Sequence, residues 1–590
     1  MVAVMALAIL AAPTLFLTGS RDAAAIEASQ PSKKKQAVKR PQFDPRKALP
    51  GQPGLARKPN APLPATNRNT VNPVAPNTVR GDATKPTLTD AKLRENATNP
   101  PAPRDARGNA VNVNPANTRF GNSAALNSRD GRANATRTNA ANAVAANGRV
   151  RRGPAVTGAT ASEREAQRLQ HRSQILSVQR RLPYRPLPGE RNFTGVPPPG
   201  ETRFVSTEVV LQVGPNVPQQ SLDDVARRYN LTPVAAQRSA LTGGTLFHFR
   251  LADGRGVPDV VRALEAERIG VAQPNYVYRV TQAAVTPPRT PAEMADHDQY
   301  VAQKLRLEEA HKMATGKNVL VAVLDSAIDR THPDLANAVV ETFDAAGGAN
   351  KPHPHGTGMV GAIAAHGRLT GIAPDVRVLA VNAFNMNGQQ SPQATTRNII
   401  AGLEWALAKG ARVINMSFTG PYDPMLQLAM KKAHEKGAVL IAAAGNQGPK
   451  SPPLYPAADP NVIAVTATDE NDGLYSGANR GPYVAVATPG VDILVPAPGA
   501  TYELTTGTSV AAAHASGVAA LLIERHPEVD AKTILEVLTV SAEKLGAQAP
   551  DDQFGWGLID PVSALDELDS RVADGKVAAM AKPAPPYGGL

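Results

Sequence analysis

The sequence predicts an α/β protein: a doubly wound, mostly parallel sheet, preceded by a small α+β domain of split βαβ type and a long disordered N-terminal region. Three observations carry this. Short apolar runs recur at 319–324, 376–381, 413–418, 439–444, 462–466 and 483–487, with helical patterns among them at 395–409 and 424–436. Strands buried on both faces read as such runs, and strands that alternate with helices pair in parallel. Between 203 and 280 the pattern is strand, helix, strand, helix, strand, enough for one small domain. Before 201, Asn, Ala, Pro, Arg and Thr dominate and large apolar residues nearly vanish.

In chain order, residues 1–25 hold an apolar run, 2–17, followed by Gly19, Ser20 and Ala23-Ala24-Ala25. This reads as a signal peptide or a short membrane anchor. Against it, no Lys or Arg precedes the run while Arg21 and Lys33-Lys34-Lys35 follow it, the reverse of the usual charge order for export. Either reading makes the protein secreted or extracytoplasmic, and anchored in the second case. Residues 26–201 cannot bury enough surface to offset chain entropy and read as disordered. Only 162–181, charged and poor in breakers, suits a transient helix. Residues 21–191 carry roughly +20, so the overall +12 leaves roughly −8 elsewhere. The basic pI therefore belongs to a tail, which suits a solvated spacer or a tether to an anionic surface. Its aromatic residues, Phe43, Phe120 and Tyr184, are too sparse to interleave the charges as stacking platforms, so no specific nucleic-acid partner is expected.

Residues 202–282 form the small domain, with strands at 207–213 and 245–251, helices at 221–229 and 257–267, and a last extended segment at 271–280. Residues 283–297, with Pro287, Pro288 and Pro291, read as a linker in which a cut is easily accommodated. The main domain is 298–565, and 566–590 is a C-terminal tail whose last stretch, 582–590, is Pro/Gly-rich. The chain has no cysteine, which excludes disulfides, thiol catalysis and zinc sites built on Cys.

Chemistry enters at Gly507-Thr508-Ser509, a turn feeding a small-residue helix at 511–524. A serine there has backbone N–H groups and the positive end of the helix dipole beside its oxygen. The same pattern fits a simple helix cap. Two earlier segments favour the nucleophile. Asp325 ends the apolar run 319–324, and His355-Gly356-Thr357-Gly358 opens another small-residue run. A carboxylate, an imidazole and a hydroxyl are the parts of an acyl-transfer triad. Asn446, after Ala444-Gly445 at a strand end, offers an amide donor for an oxyanion, or simply an Asn in a left-handed turn.

The blocks Asp325-Ser326-Ala327-Ile328-Asp329, His355-Gly356-Thr357-Gly358, Asn415-Met416-Ser417, Ala444-Gly445-Asn446 and Gly507-Thr508-Ser509 resemble those of the subtilisin-like serine proteases, the subtilases, in order and spacing. The resemblance implies a subtilisin-like sheet and a serine endopeptidase. In it Ser509 is the nucleophile, His355 the general base and then acid, Asp325 the orienting carboxylate and Asn446 the oxyanion donor. It further implies protein or peptide substrates laid along Ser417, Phe418, Thr419 and Gly388, with Ala444 and Gly445 lining the primary pocket. Residues 202–282 resemble the family's propeptide, which implies a self-processing precursor whose own propeptide is a partner. No cofactor is implied. The family's calcium loop is shortened at His366-Gly367-Arg368-Leu369, and Asp334 alone falls short of the six to eight oxygens calcium needs.

Four positions depart from the family pattern: Ala327 for Gly, Gly358 for a second His, Thr419 for a Gly in the substrate strand, and Ala513 for a Pro after the nucleophile. None removes a proton-transferring group, but Thr419 is expected to narrow the peptide groove. They keep open a second reading, a weak or inactive scaffold that binds or tethers peptides. His353 and His355 flank Pro354 without further ligands for zinc, and no metal site is expected. His332 is expected in a turn and His514 in a packed helix.

Overall fold

The computed structural model describes residues 160–577, apart from 180–184, 186, 189, 191–192, 281–283, 286–289, 292–298, 349–350, 387–390 and 576. The expected leader, the basic stretch before 160 and the tail past 577 lie outside the described residues. Within the stretch expected to be disordered, residues 162–181 suit a transient helix, and Ala161–Gln179 forms a 19-residue helix, α1. A reciprocal cap starts it. Thr160 N donates to Glu163 Oε2 (2.7 Å) and Glu163 N to Thr160 Oγ1 (3.2 Å). What the sequence does not show is the docking that holds it, some 400 residues downstream: Arg168, His171 and Ile175 are buried against the C-terminal helices.

The next elements are β1 (Phe204–Val213), α2 (Gln219–Arg228), β2 (Leu231–Ser239), β3 (Gly244–Leu251), α3 (Val257–Ala266) and β4 (Gly270–Val280). The strands pair antiparallel in the order β4-β1-β3-β2. Alternation along β1 divides the work. Val209 and Leu211 face α2 and α3 in one small core, while Val210 joins Tyr276 and Tyr278 in a core shared with the larger domain. The five-element reading of this stretch lacked β2, a largely exposed edge strand whose register shifts after Pro233.

After the two-residue β5 (Ala284–Val285) and the short helices α4 (Tyr300–Lys304) and α5 (Leu307–Ala310), the chain alternates as expected. β6 (Leu320–Ser326), β7 (Val339–Asp344), α6 (Pro354–Ala364), β8 (Arg377–Phe384), β9 (Gln393–Thr395) and α7 (Thr396–Ala408) come first. β10 (Val413–Met416), β11 (Phe418–Thr419), α8 (Pro424–Glu435), β12 (Val439–Ala443), β13 (Val462–Thr468) and β14 (Val484–Pro489) follow. Then come β15 (Ile493–Ala497), β16 (Thr501–Thr506), α9 (Thr508–Arg525), α10 (Ala531–Val540) and α11 (Pro561–Ala573).

The main sheet has seven strands, all parallel, in the order β14-β13-β12-β10-β6-β8-β7. Both faces are covered. Val321 and Val323 of β6 pack under α6, α9, α10 and α11, while Ala322 and Leu324 pack under α7 and α8. α9 carries small residues because it runs through the core: residues 508–523 are all buried. This is the doubly wound α/β architecture expected from the apolar runs, with the strand ends opening on one edge.

Two further pairings join the small sheet to the large domain. β4 lies antiparallel between β11, with Phe418 opposite Val280 and Thr419 opposite Arg279, and β9, with Ala394 opposite Tyr278. Beyond residues 281–283, β5 pairs with β16, Ala284 opposite Thr506 and Val285 opposite Thr505.

Candidate active site

Asp325 sits near the carboxyl end of β6 and His355 in the first turn of α6, both fully inaccessible. His355 Nδ1 donates to Asp325 Oδ1 at 2.8 Å, and the same oxygen accepts from Ser326 N (2.7 Å) and Ser326 Oγ (3.0 Å). With the proton held on Nδ1 by the carboxylate, Nε2 carries the lone pair. It is buried and has no hydrogen-bond partner among the described residues. A buried nitrogen left without a partner calls for an explanation, and a base awaiting a proton is one. His353 caps α6, its Nδ1 accepting from His355 N at 3.2 Å. Burial, reinforced by the neighbouring His355, lowers the pKa of His353, which keeps that cap a neutral acceptor.

Ser509 lies in the first turn of α9, buried. Its Oγ donates to Ser417 O at 3.2 Å, and Ser417 Oγ donates back to Ser509 O at 2.9 Å. Asn415 Nδ2 holds Ser417 Oγ (3.0 Å), and Ser516 Oγ holds Asn415 Oδ1 (3.0 Å). The end of β10 is thus stitched to the start of α9. The structure brings Asp325 and His355 into a hydrogen bond but records none between His355 and Ser509, whose hydroxyl is turned to Ser417.

Asn446 follows β12. Its Oδ1 accepts both Thr508 N (3.0 Å) and Thr508 Oγ1 (2.9 Å), which fixes the amide with its NH2 end as the donor. Gly445 N donates to Thr508 Oγ1 at 3.0 Å, and Asn479 N to Gly445 O at 2.9 Å. Gly445 has φ +116°, and a Cβ there would meet Asn479 Nδ2 at 2.7 Å, so only glycine fits the turn. Ala444 is buried, with its carbonyl bonded by Tyr483 OH at 3.1 Å. Asn479 was not anticipated, since it reaches this loop from outside every motif.

Ser417, Phe418 and Thr419 flank β4, whereas Gly388 lies outside the described residues. The expectation that Thr419 narrows the groove meets a strand already paired there, with Arg279 opposite it. Gly358, where the family has a second His, is tight against β15: a Cβ would lie 2.9 Å from Val495 Cγ2, leaving no room for an imidazole. Ala513 sits buried within the unbroken α9.

The groove also contains a carboxylate that sequence reading overlooked. Asp423 caps α8 through Leu426 N (3.0 Å) and accepts from Thr396 Oγ1 (2.6 Å), Gln273 Nε2 (2.7 Å) and Tyr278 OH (3.2 Å). Burial pushes its carboxyl above the usual range. Asp followed by Pro marks a helix start, but nothing local to it shows the groups that converge on the carboxylate.

Asp334 uses its oxygens on protein donors, Arg368 N (2.8 Å), Leu369 N (3.0 Å) and Tyr502 OH (3.1 Å). Among the described residues no group of three or more His, Cys, Asp or Glu side chains is placed to hold a metal ion. His332 accepts from Asp334 N at 3.1 Å in its turn. His514 is buried, bonded to Pro489 O at 2.9 Å, and lowered to about 4 by burial.

Burial also pushes the Glu503 carboxyl on β16 up to about 7, with His355 pulling it partway back. A carboxyl raised above its unfolded value of 4.5 adds stability below that pH and loses it as pH rises through about 7. The melting temperature should therefore fall between pH 5 and 8. Glu503→Gln should abolish that fall, a difference on the order of 5 °C by calorimetry. Equal slopes for both chains would clear Glu503 of this role.

A parallel seven-stranded sheet, an Asp–His pair at its carboxyl edge and a buried serine opening the central helix together define a subtilisin-like protein. The subtilase family model matches residues 316–557. Subtilisin DY of Bacillus licheniformis is 35% identical over 257 residues, 42% of this chain and 91% of its own length. Thermitase of Thermoactinomyces vulgaris is 37% identical over 232 residues, 38% of this chain and 81% of its own. The chain belongs to the subtilase family. It matches only 41% of the minor extracellular protease Epr of Bacillus subtilis, at 34% identity over 44% of this chain. Among solved structures it is similar to fervidolysin of Fervidobacterium pennivorans, a keratinolytic enzyme related to subtilisin. There the TM-score is 0.54 at 25% identity, covering 65% of this chain and 64% of that one.

Proposed function

We propose that the protein is a serine endopeptidase made as a precursor, which cuts its own chain and is then held inhibited by its N-terminal domain. The observation that carries this is the path of the chain through the groove. β4 enters between β9 and β11, and β5 leaves along β16, directly before Gly507 and the turn that holds Ser509. An extended segment paired in this way is aligned by main-chain hydrogen bonds while its side chains alternate into pockets. Tyr278 fills one such pocket, edge-on to Phe418 at 5.7 Å. The bond that is cut lies between Val280 and Ala284.

Ser509 Oγ turns from Ser417 O to His355 Nε2 by rotation about one side-chain bond, then attacks the peptide carbonyl. The imidazole takes its proton, and Asp325 steadies the imidazolium. The oxyanion meets Ser509 N–H and Asn446 Nδ2. His355 then protonates the leaving amine, and water frees the acyl group through the same base. Substrates are proteins or peptides presenting an extended segment. The small residues Ala444 and Gly445 suit a large apolar side chain before the cut bond. The apolar leader and the extracellular relative Epr together support a secreted or extracytoplasmic site of action.

Labelling with a fluorophosphonate after processing tests the proposal. Label on Ser509 and a new N-terminus within 281–284, both read by mass spectrometry, are the expected results. A processed chain that takes no label would instead be a peptide-binding scaffold. Asn446→Leu should lower kcat by about 10²–10³ with little change in KM. Losses shared equally between kcat and KM would count against the oxyanion role.

A further inference from the structure

We propose that α1 is a second anchor, which keeps the cleaved N-terminal fragment on the enzyme after the chain is cut. This rests on the proposed cut between Val280 and Ala284. That cut separates α1 and the β1–β4 domain, on one side, from every element they pack against in the main domain.

α1 belongs to the N-terminal fragment, but its partners belong to α10, α11 and the turn between them. Arg168 is 9% exposed and uses three nitrogens. Nε meets Glu567 Oε1 (3.1 Å), Nη1 meets Asp574 Oδ2 (2.7 Å) and Nη2 meets Ser570 Oγ (3.2 Å). Arg164 reaches Asp574 Oδ1 at 3.2 Å, and Arg172 reaches Glu536 Oε1 at 3.4 Å. His171 bonds Thr539 Oγ1 at 2.9 Å and lies 4.1 Å from the Trp556 ring, and Ile175 is buried. None of these partners lies on β9, β11 or β16, the strands that pair with β4 and β5.

Taken alone, this contact is weak. The pairs of the partly exposed Arg164 and Arg172 contribute little, the buried Arg168 pairs repay little beyond their desolvation, and a free 19-residue helix with one buried isoleucine would be largely unfolded. Yet α1 is joined to β1 by the 24 residues 180–203, so while β4 holds the groove α1 rebinds as an intramolecular partner. Two modest contacts linked in this way exceed either one by about 10²–10⁴. Cutting the chain therefore does not free the enzyme. Release needs either a second cut within 180–203 or enough salt to screen the arginine contacts.

The test uses the full chain with Ser509→Ala and a recognition site for an added sequence-specific protease inserted in 286–298. After that protease cuts, dissociation of the N-terminal fragment is followed by size exclusion and native mass spectrometry. The parent fragment should leave about 10²-fold more slowly than the fragment of Arg164→Ala/Arg168→Ala, and also more slowly than from Asp574→Ala. The gap should narrow in 1 M NaCl, because the partly exposed Arg164 pair is screened more than the buried Arg168 pairs. Equal rates in all three chains at low salt would overturn the anchor. Because the cut is supplied from outside, this result stands apart from self-cleavage. The latter is read in the chain with Ser509 intact, where failure to cut would sink the precursor reading instead.

Discussion

A chain carrying Ser509→Ala is expected to accumulate as the uncut precursor. β4 would still lie between β9 and β11, with no serine oxygen to attack the chain. Ser509 Oγ donates to Ser417 O at 3.2 Å, whereas the return bond uses the Ser509 carbonyl, which alanine retains. Loss of that bond should cost about 1 kcal/mol in stability. Hydrolysis of added peptides should fall by roughly 10⁶, the magnitude known for subtilisin itself and carried over to this relative. Mass spectrometry of the purified chain reads both effects. Processing at the parental rate would mean that Ser509 is not the nucleophile.

Asp325→Asn should slow self-processing and peptide turnover by on the order of 10⁴, with KM nearly unchanged. Asp325 Oδ1 already accepts three hydrogen bonds, while Oδ2 is buried without a partner among the described residues. An asparagine that keeps its oxygen at the Oδ1 position buries an unpaired NH2 and loses the charge that steadies the imidazolium. An asparagine turned the other way forces the proton onto Nε2, where His355 can no longer act as a base. The half-time of precursor loss reports either outcome without any added substrate. A loss under tenfold would mean that the carboxylate only supports the fold.

The sheet was legible because β6, β10, β12 and β13 are buried on both faces, so their burial is written directly as apolar runs. Elements held by distant partners were legible only in part: residues 162–181 suit a helix, but not a docked one. β2 is an exposed edge strand interrupted by Pro233, and α1 has almost no apolar stripe; each gains its place from tertiary contacts that no local window contains. At the site, Asp325, His355, Ser509 and Asn446 announce themselves as short motifs at element ends. Asp423 and Asn479 do not, because their importance lies in what reaches them: Gln273 and Tyr278 from the small domain in one case, Gly445 and Gln447 in the other. The turned-away hydroxyl of Ser509 was likewise beyond any sequence pattern, since it depends on the position of one carbonyl oxygen.

The groove is bordered by two very short strands, three residues of β9 and two of β11. Once β4 departs, such stubs are too brief to template aggregation, yet they still demand several consecutive residues of bare, straightened backbone from whatever takes its place. Native globular targets keep most of their backbone engaged in their own ladders and helices. Digestion of them should accordingly track how readily each target frays or opens locally, and depend far less on which residue flanks the broken bond.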